Sequence, residues 1–149
     1  MADGSITDEE LAELVRRTEN ATSAYMRGDM DRYLALTRHA RGYTLVNPSG
    51  GAPVRYNDRT QSVQASASYF KAGEAKVELV QAHAWGDTVV LVMIERQHGQ
   101  VGGLPDQDWS LRVTQVYRRY GSDWHVVHRH ADPLVHAIDL EQAAALARG

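Results

Sequence analysis

A chain of 149 residues fits one domain with a sizeable core, and its 43 % hydrophobic and 23 % charged residues are the balance of an ordinary globular protein in water. A net charge of −3 gives no electrostatic basis for binding nucleic acid or an anionic membrane surface, and no run of about 18 apolar residues is present to span a bilayer. Cysteine is absent, which excludes disulfides, thiolate metal sites and a cysteine nucleophile; with an acidic, polar start that lacks a secretory pattern, the expected location is the cytoplasm.

The first periodic segment runs over about 7–27. Thr7 is a candidate cap with Glu10 three residues on, and Leu11, Leu14, Val15, Thr18 and Ala21 recur at three- and four-residue steps, a stripe suited to core packing. Gly28 ends this helix and Asp29 begins a second, with Met30, Tyr33, Leu34 and Thr37 on its inner side. The two form a hairpin of the kind that covers one face of a sheet. The run 43-YTLV-46 reads as a short strand. The following 47-NPSGGAP-53 is a loop, and without GK[ST] or GxGxxG it is no phosphate cradle. A third helix is predicted over about 59–71, with Val63, Ala65, Ala67 and Phe70 inward.

From residue 75 the texture changes to four β-prone segments: 75-AKVELVQAHAW-85, 88-TVVLVMIERQHG-99, 108-DWSLRVTQVYRR-119 and 124-WHVVHRHAD-132. The turns 85-WGDT-88 and 120-YGSD-123 join neighbours tightly, and a looser Gly-rich link spans about 99–106. No helix-length gap separates these strands, so they are expected to pair antiparallel as a meander. A short helix beginning at Asp139 closes the chain. Helices first and one antiparallel sheet after make a single α+β domain over residues 1–149, without repeat or linker.

This element order resembles the nuclear transport factor 2-like superfamily, shared by ketosteroid isomerases, SnoaL-like polyketide cyclases, scytalone dehydratase and limonene epoxide hydrolase. The last two strands look like those of the SnoaL-like subgroup: an arginine in the penultimate strand (Arg112), a G-x-x-W turn (Gly121, Trp124), then V-H-x-H (Val127, His128, His130). That subgroup is in turn similar to the association domain of calcium/calmodulin-dependent kinase. The resemblance implies a cone-shaped, curved antiparallel sheet packed on the N-terminal helices, a pocket inside the cone, and a homodimer joined through sheet faces. It does not imply one activity, because the fold hosts isomerases, cyclases, dehydratases, hydrolases and assembly domains.

Strand alternation places Trp124, Val126, His128, His130 and Asp132 on one face and His125, Val127, Arg129 and Ala131 on the other. The preceding strand divides into Ser110, Arg112, Thr114 and Val116 against Trp109, Leu111, Val113 and Tyr117. The resemblance puts the face of Arg112, His128 and His130 inside the cone and leaves Leu111, Val113 and Val127 to pack elsewhere, against another subunit. An inward Arg112 needs a partner, for which Glu95 and Asp132 are candidates. It is then either a structural ion pair or a group that recognises an anion or carbonyl. His128 and His130 are either hydrogen-bonded core residues or proton-transfer groups, since imidazole titrates near neutrality. Trp109, Trp124, Tyr33 and Tyr43 would shape the walls if they face inward.

Metal binding is not expected. The H-x-H pair lacks the residues that follow it in a cupin, and His83, His98 and Glu95 have no ligand spacing. Neither an Asp base facing a Tyr/acid oxyanion hole, as in ketosteroid isomerase, nor the Asp–Arg–Asp relay of the epoxide hydrolases can be assembled from these residues. The expected function is binding of a small hydrophobic molecule, with cofactor-independent proton transfer on it of isomerase, cyclase or dehydratase type. The alternative is a non-catalytic ligand-binding or oligomerisation domain.

Overall fold

The structure, a computed structural model, describes residues 5–149. Its helix hairpin follows the local signals. Helix α1 (Asp8–Arg27) is capped by Thr7, whose hydroxyl accepts a hydrogen bond from the Glu10 N–H at 3.1 Å. It stops at Gly28, which adopts φ +81°; a Cβ there would lie 2.3 Å from the Phe70 carbonyl oxygen, so only glycine fits. Helix α2 (Met30–Leu36) starts from Asp29, whose carboxylate accepts from the Arg32 N–H at 3.1 Å.

Strand β1 (Arg38–Val46) begins five residues before the predicted YTLV run, because HARG carries little β-signal of its own. Strand β2 (Val54–Tyr56) pairs with it. The third helix is shorter than predicted: α3 (Thr60–Ala65) tightens into a 3₁₀ turn over Ser66–Tyr69, with Val63 buried and Ala65 exposed. Strands β3 (Phe70–Trp85), β4 (Thr88–Val101), β6 (Leu111–Tyr120) and β7 (Asp123–Asp132) form the predicted antiparallel meander. The Gly-rich link adds a two-residue strand, β5 (Gln107–Asp108), against β4. The sheet order is β2-β1-β7-β6-β4-β3, and β1 runs parallel to β7, a pairing that strand patterning does not reveal. The curved sheet is therefore mixed and unclosed, and α1 lies across β3 and β4 on its concave side. Helix α4 (Leu140–Arg148) begins at Asp139 with a capping box completed by Gln142.

The core fills the concave face with Leu14, Tyr43, Leu91, Met93, Val113 and Val126. Each such side chain contributes about 1.5–3 kcal/mol by leaving water. In β6 the buried residues are Leu111, Val113, Gln115 and Tyr117, while Arg112, Thr114 and Arg118 are exposed. The expected orientation is thus reversed: the face of Arg112 is the outer one. The apolar content of the other face decides this, since it is the face the helices cover.

A β-bulge completes the reversal in β7. The register steps from Val116↔His128 to Tyr117↔Val126, which leaves Val127 with no opposite number. Trp124 and Val126 before the bulge therefore share the inner side with Arg129 and Ala131 after it, and His128, His130 and Asp132 turn outward. Among the described residues no helix is long and apolar enough to cross a membrane, and no group of three or more His, Asp or Glu stands close enough to hold a metal ion.

Candidate functional site

Between the helix hairpin and the concave sheet face lies a cavity of about 880 Å³, within the size range of small-molecule sites. Its most buried polar feature is an ion pair between Glu95 of β4 and Arg129 of β7. Glu95 is 0 % exposed, and Arg129 grips it with both ends of the guanidinium, Nη2 to Oε1 at 2.7 Å and Nη1 to Oε2 at 2.8 Å. The one-fifth of the Arg129 side chain that is still accessible belongs to the cavity wall. Burial works against the arginine's charge, but Glu95 outweighs it and holds the guanidinium firmly protonated.

Arg129 also starts a one-way chain of hydrogen bonds into the helix layer. Its Nη1 donates to Gln115 Oε1 at 3.0 Å, and Gln115 Nε2 donates to the Tyr117 hydroxyl at 2.6 Å. The Thr18 hydroxyl donates its single proton to the Leu14 carbonyl at 2.7 Å, so at 2.6 Å from Tyr117 it must accept the tyrosine's proton. Each member is satisfied, and the strand is tied to α1 through the core.

At the α2 end, Tyr33 and Tyr43 line the cavity. The imidazole of His39 sits against both rings, at 5.8 and 4.7 Å between centroids, with Nε2 3.0 Å from the Tyr33 hydroxyl. Burial pushes both tyrosines up, so each keeps its proton and can donate it in a hydrogen bond. Burial, then the charges of Arg59 and Arg129, lower the His39 pKa to about 4.

This has a consequence for stability. Folded His39 takes a proton only near pH 4, whereas the unfolded residue does so near 6.5, so between these values the unfolded chain holds more protons and stability falls as pH falls. The contribution is intact above the unfolded value and lost on the way down to the folded one. His98 acts in the opposite sense, because its hydrogen bond to Asp106 raises its pKa. In a His98→Gln background, His39→Phe is expected to flatten the loss of urea-unfolding free energy between about pH 7 and pH 5. An unchanged slope would show that His39 is solvated.

The predicted site residues separate cleanly. Tyr33, Tyr43, Glu95 and Trp109 line the cavity. Trp124 packs on the edge of the core beneath the Arg119 guanidinium, at 4.7 Å from its ring. Arg112 finds one of its two candidate partners, Asp132, with Nε to Oδ1 and Nη2 to Oδ2 both at 2.8 Å, but on the outer face, where the side chains are 54 % and 28 % exposed. His128 also faces outward, with Nδ1 2.7 Å from the Thr44 hydroxyl, and His130 is exposed. The internal Arg–Glu pair does exist, with Arg129 in place of Arg112. Gln97, Gln115, Tyr117, Arg59 and His39 belong to the cavity or its support and carried no sequence signal.

Chemically, the α2 end offers neutral phenol donors near the Arg129 guanidinium, whose charge Glu95 balances, a setting suited to a carbonyl oxygen. Glu95 is engaged on both oxygens and is no free base. Two further polar side chains, His136 and Asp108, lie elsewhere on the wall; the Asp108 carboxylate accepts from the Ser110 N–H at 2.8 Å, which holds it below its usual range.

Known proteins fit this architecture. A candidate dehydratase of the NTF2-like family from Streptomyces avermitilis superposes with a TM-score of 0.69 at 19 % identity, covering 87 % of this chain and 99 % of its own. An NTF2-like protein of unknown function from Pseudomonas putida gives 0.65 at 21 % identity, with 92 % and 93 % covered. The association domain of C. elegans CaMKII gives 0.61 at 15 % identity, with 85 % and 99 % covered. These likenesses establish the fold. No curated protein matches the sequence. The sequence model of the SnoaL-like domain matches residues 16–135, most of the helix hairpin and every strand, and by that match the chain belongs to the SnoaL-like family within the NTF2-like superfamily.

Proposed function

We propose that the cavity holds a small, mainly apolar molecule with an oxygen function and that the protein carries out proton-transfer chemistry on it, of isomerase, cyclase or dehydratase type. The observation that supports this reading most is the grouping of Tyr33 and Tyr43, both protonated, beside Arg129 in one cavity of ligand size. Tyr33 would donate to the ligand oxygen and Arg129 would stabilise charge developing there. His136 or Asp108 would take up the migrating proton. No cofactor is needed for such a step.

The test needs no knowledge of the natural substrate. The α-protons of 2-tetralone exchange with D₂O through an enolate, and NMR follows the exchange directly. The protein is expected to accelerate exchange above buffer, and Tyr33→Phe to reduce the acceleration by about 10²–10³-fold, the typical effect of losing one oxyanion donor. Acceleration untouched by Tyr33→Phe would remove Tyr33 from the reaction.

A second reading, ligand binding or assembly without turnover, is favoured by two observations. The innermost carboxylate, Glu95, is closed off by Arg129, and the outer sheet face carries a half-buried apolar stripe of Val90, Val92, Ile94 and Val116. Association through that face would give the homodimer expected of the superfamily, or a larger assembly. Protein that binds 2-tetralone without exchanging it, and that scatters light as a dimer or larger species, would favour this reading over the first.

A further inference from the structure

Two residues that line the cavity, Gln97 and Arg59, each carry a buried polar atom without a protein partner, and the two atoms are of opposite kinds. Gln97 on β4 is 7 % exposed. Its Nε2 donates to the Trp109 carbonyl at 3.1 Å, and because a carbonyl only accepts, this fixes the orientation of the amide. Oε1 is then turned the other way, buried, with no donor in reach among the described residues. Arg59, just before α3, stacks over the Tyr56 ring at 4.8 Å and donates from Nη1 to Ser62 at 2.5 Å. Its Nε is buried and unbonded, and no carboxylate among the described residues forms an ion pair with it.

The two cavity arginines are therefore unlike. Arg129 is answered by Glu95, whereas Arg59 keeps an open charge and an open donor. Tyr33, Tyr43 and His39 all feel the positive charge of Arg59, so that charge belongs to the same end of the cavity. One guanidinium edge suits a monoanionic, planar acceptor, and the volume leaves room for a sizeable carbon body.

We propose, resting on the cavity reading above, that the ligand is an amphipathic organic acid whose carboxylate sits on Arg59 and whose hydroxyl or N–H donates to Gln97 Oε1. Arg59 supplies the charge and Gln97 discriminates for the donor, because a ligand without one leaves a buried acceptor unpaired.

Titration calorimetry with octanoate, decanoate, their ω-hydroxy acids and the matching alcohols tests this on the full chain. Acids are expected to bind at least about tenfold more tightly than alcohols, the gain of one charge-assisted hydrogen bond. Arg59→Gln should erase that difference and leave the alcohols unchanged. Arg59→Lys, which keeps the charge and loses the Nε donor, should erase it in part. Gln97→Leu should remove only the advantage of the hydroxy acids. Thermal midpoints of the three variants report that they are folded. Alcohols binding wild type as tightly as acids would overturn the proposal while leaving the cavity reading intact. An absence of binding by every probe would overturn both.

Discussion

Glu95→Ala is expected to lower the free energy of unfolding by about 3–5 kcal/mol, the cost of leaving a buried charge without its partner. Glu95 is fully enclosed, and Arg129 spends two donors on it, so the truncated protein must keep a guanidinium in the core with no carboxylate to answer it. The attraction lost is only part of the effect; the larger part is the desolvation of Arg129 that remains. The double substitution Glu95→Met with Arg129→Met separates the two, because it removes both charges and fills the space with apolar volume. It should unfold at least as reluctantly as the natural chain, and up to about 1–4 kcal/mol more so. Urea unfolding at neutral pH gives both numbers, with unchanged slopes confirming that the same surface is exposed. A loss below about 1 kcal/mol for Glu95→Ala would mean that water reaches Arg129 freely through the cavity, as it does at a surface pair.

That the pair was expected in the wrong arginine shows where sequence reasoning stops. The helix hairpin was legible because each boundary has a local chemical cause: Thr7 and Asp29 cap, and Gly28 can take a positive φ. The meander was legible because turns and β-prone runs alternate at short spacing. The parallel pairing of β1 with β7 depends on contacts between residues some eighty positions apart and leaves no local trace.

The site failed for a more specific reason. Period-two alternation holds only while the ladder is regular, and the bulge at Val127 inserts one residue that shifts every later side chain to the opposite face. Val126-Val127-His128 looks like uninterrupted strand, so nothing local announces the bulge. In β6, by contrast, the clue was present. Leu111, Val113 and Tyr117 on one face and Arg112, Thr114 and Arg118 on the other are an ordinary core-versus-solvent pattern. The V-H-x-H resemblance drew attention to the polar face, and the hydrophobic pattern was the better guide to orientation. Tyr33 was found because the inner side of α2 was read correctly, and Glu95 because a buried arginine demands a carboxylate; Tyr43 and Trp109 were named for their aromatic rings alone, and Trp109 lies on the very face whose orientation was reversed.

Gly73→Ala is expected to cost about 3 kcal/mol or more, at the upper end of overpacking effects, and its neighbour Ala72→Gly to gain about 1 kcal/mol. Both positions lie in the irregular stretch between Lys71 and Glu74 where β3 passes under α1. A Cβ on Gly73 would stand 2.2 Å from the His98 carbonyl oxygen, 2.8 Å from the Met26 carbonyl oxygen and 2.9 Å from Met26 Cβ. Two of these three are backbone atoms of separate elements, so no rotamer change relieves the clash; α1 and β4 must move apart. Met26 is 2 % exposed and lines the cavity, so the separation would open the wall that encloses the ligand. Ala72 has the opposite problem. It holds φ +57°, a conformation that costs an L-residue about 1–2 kcal/mol and glycine almost nothing. Part of that gain is returned by the greater freedom of glycine in the unfolded chain. The two variants change the same small volume by one methyl group in opposite directions, so a difference in sign between their urea midpoints isolates backbone geometry from side-chain chemistry. A Gly73→Ala midpoint equal to that of the natural chain would mean that α1 does not rest on β3 and β4 this closely, and the cavity would lose the wall on which its volume depends.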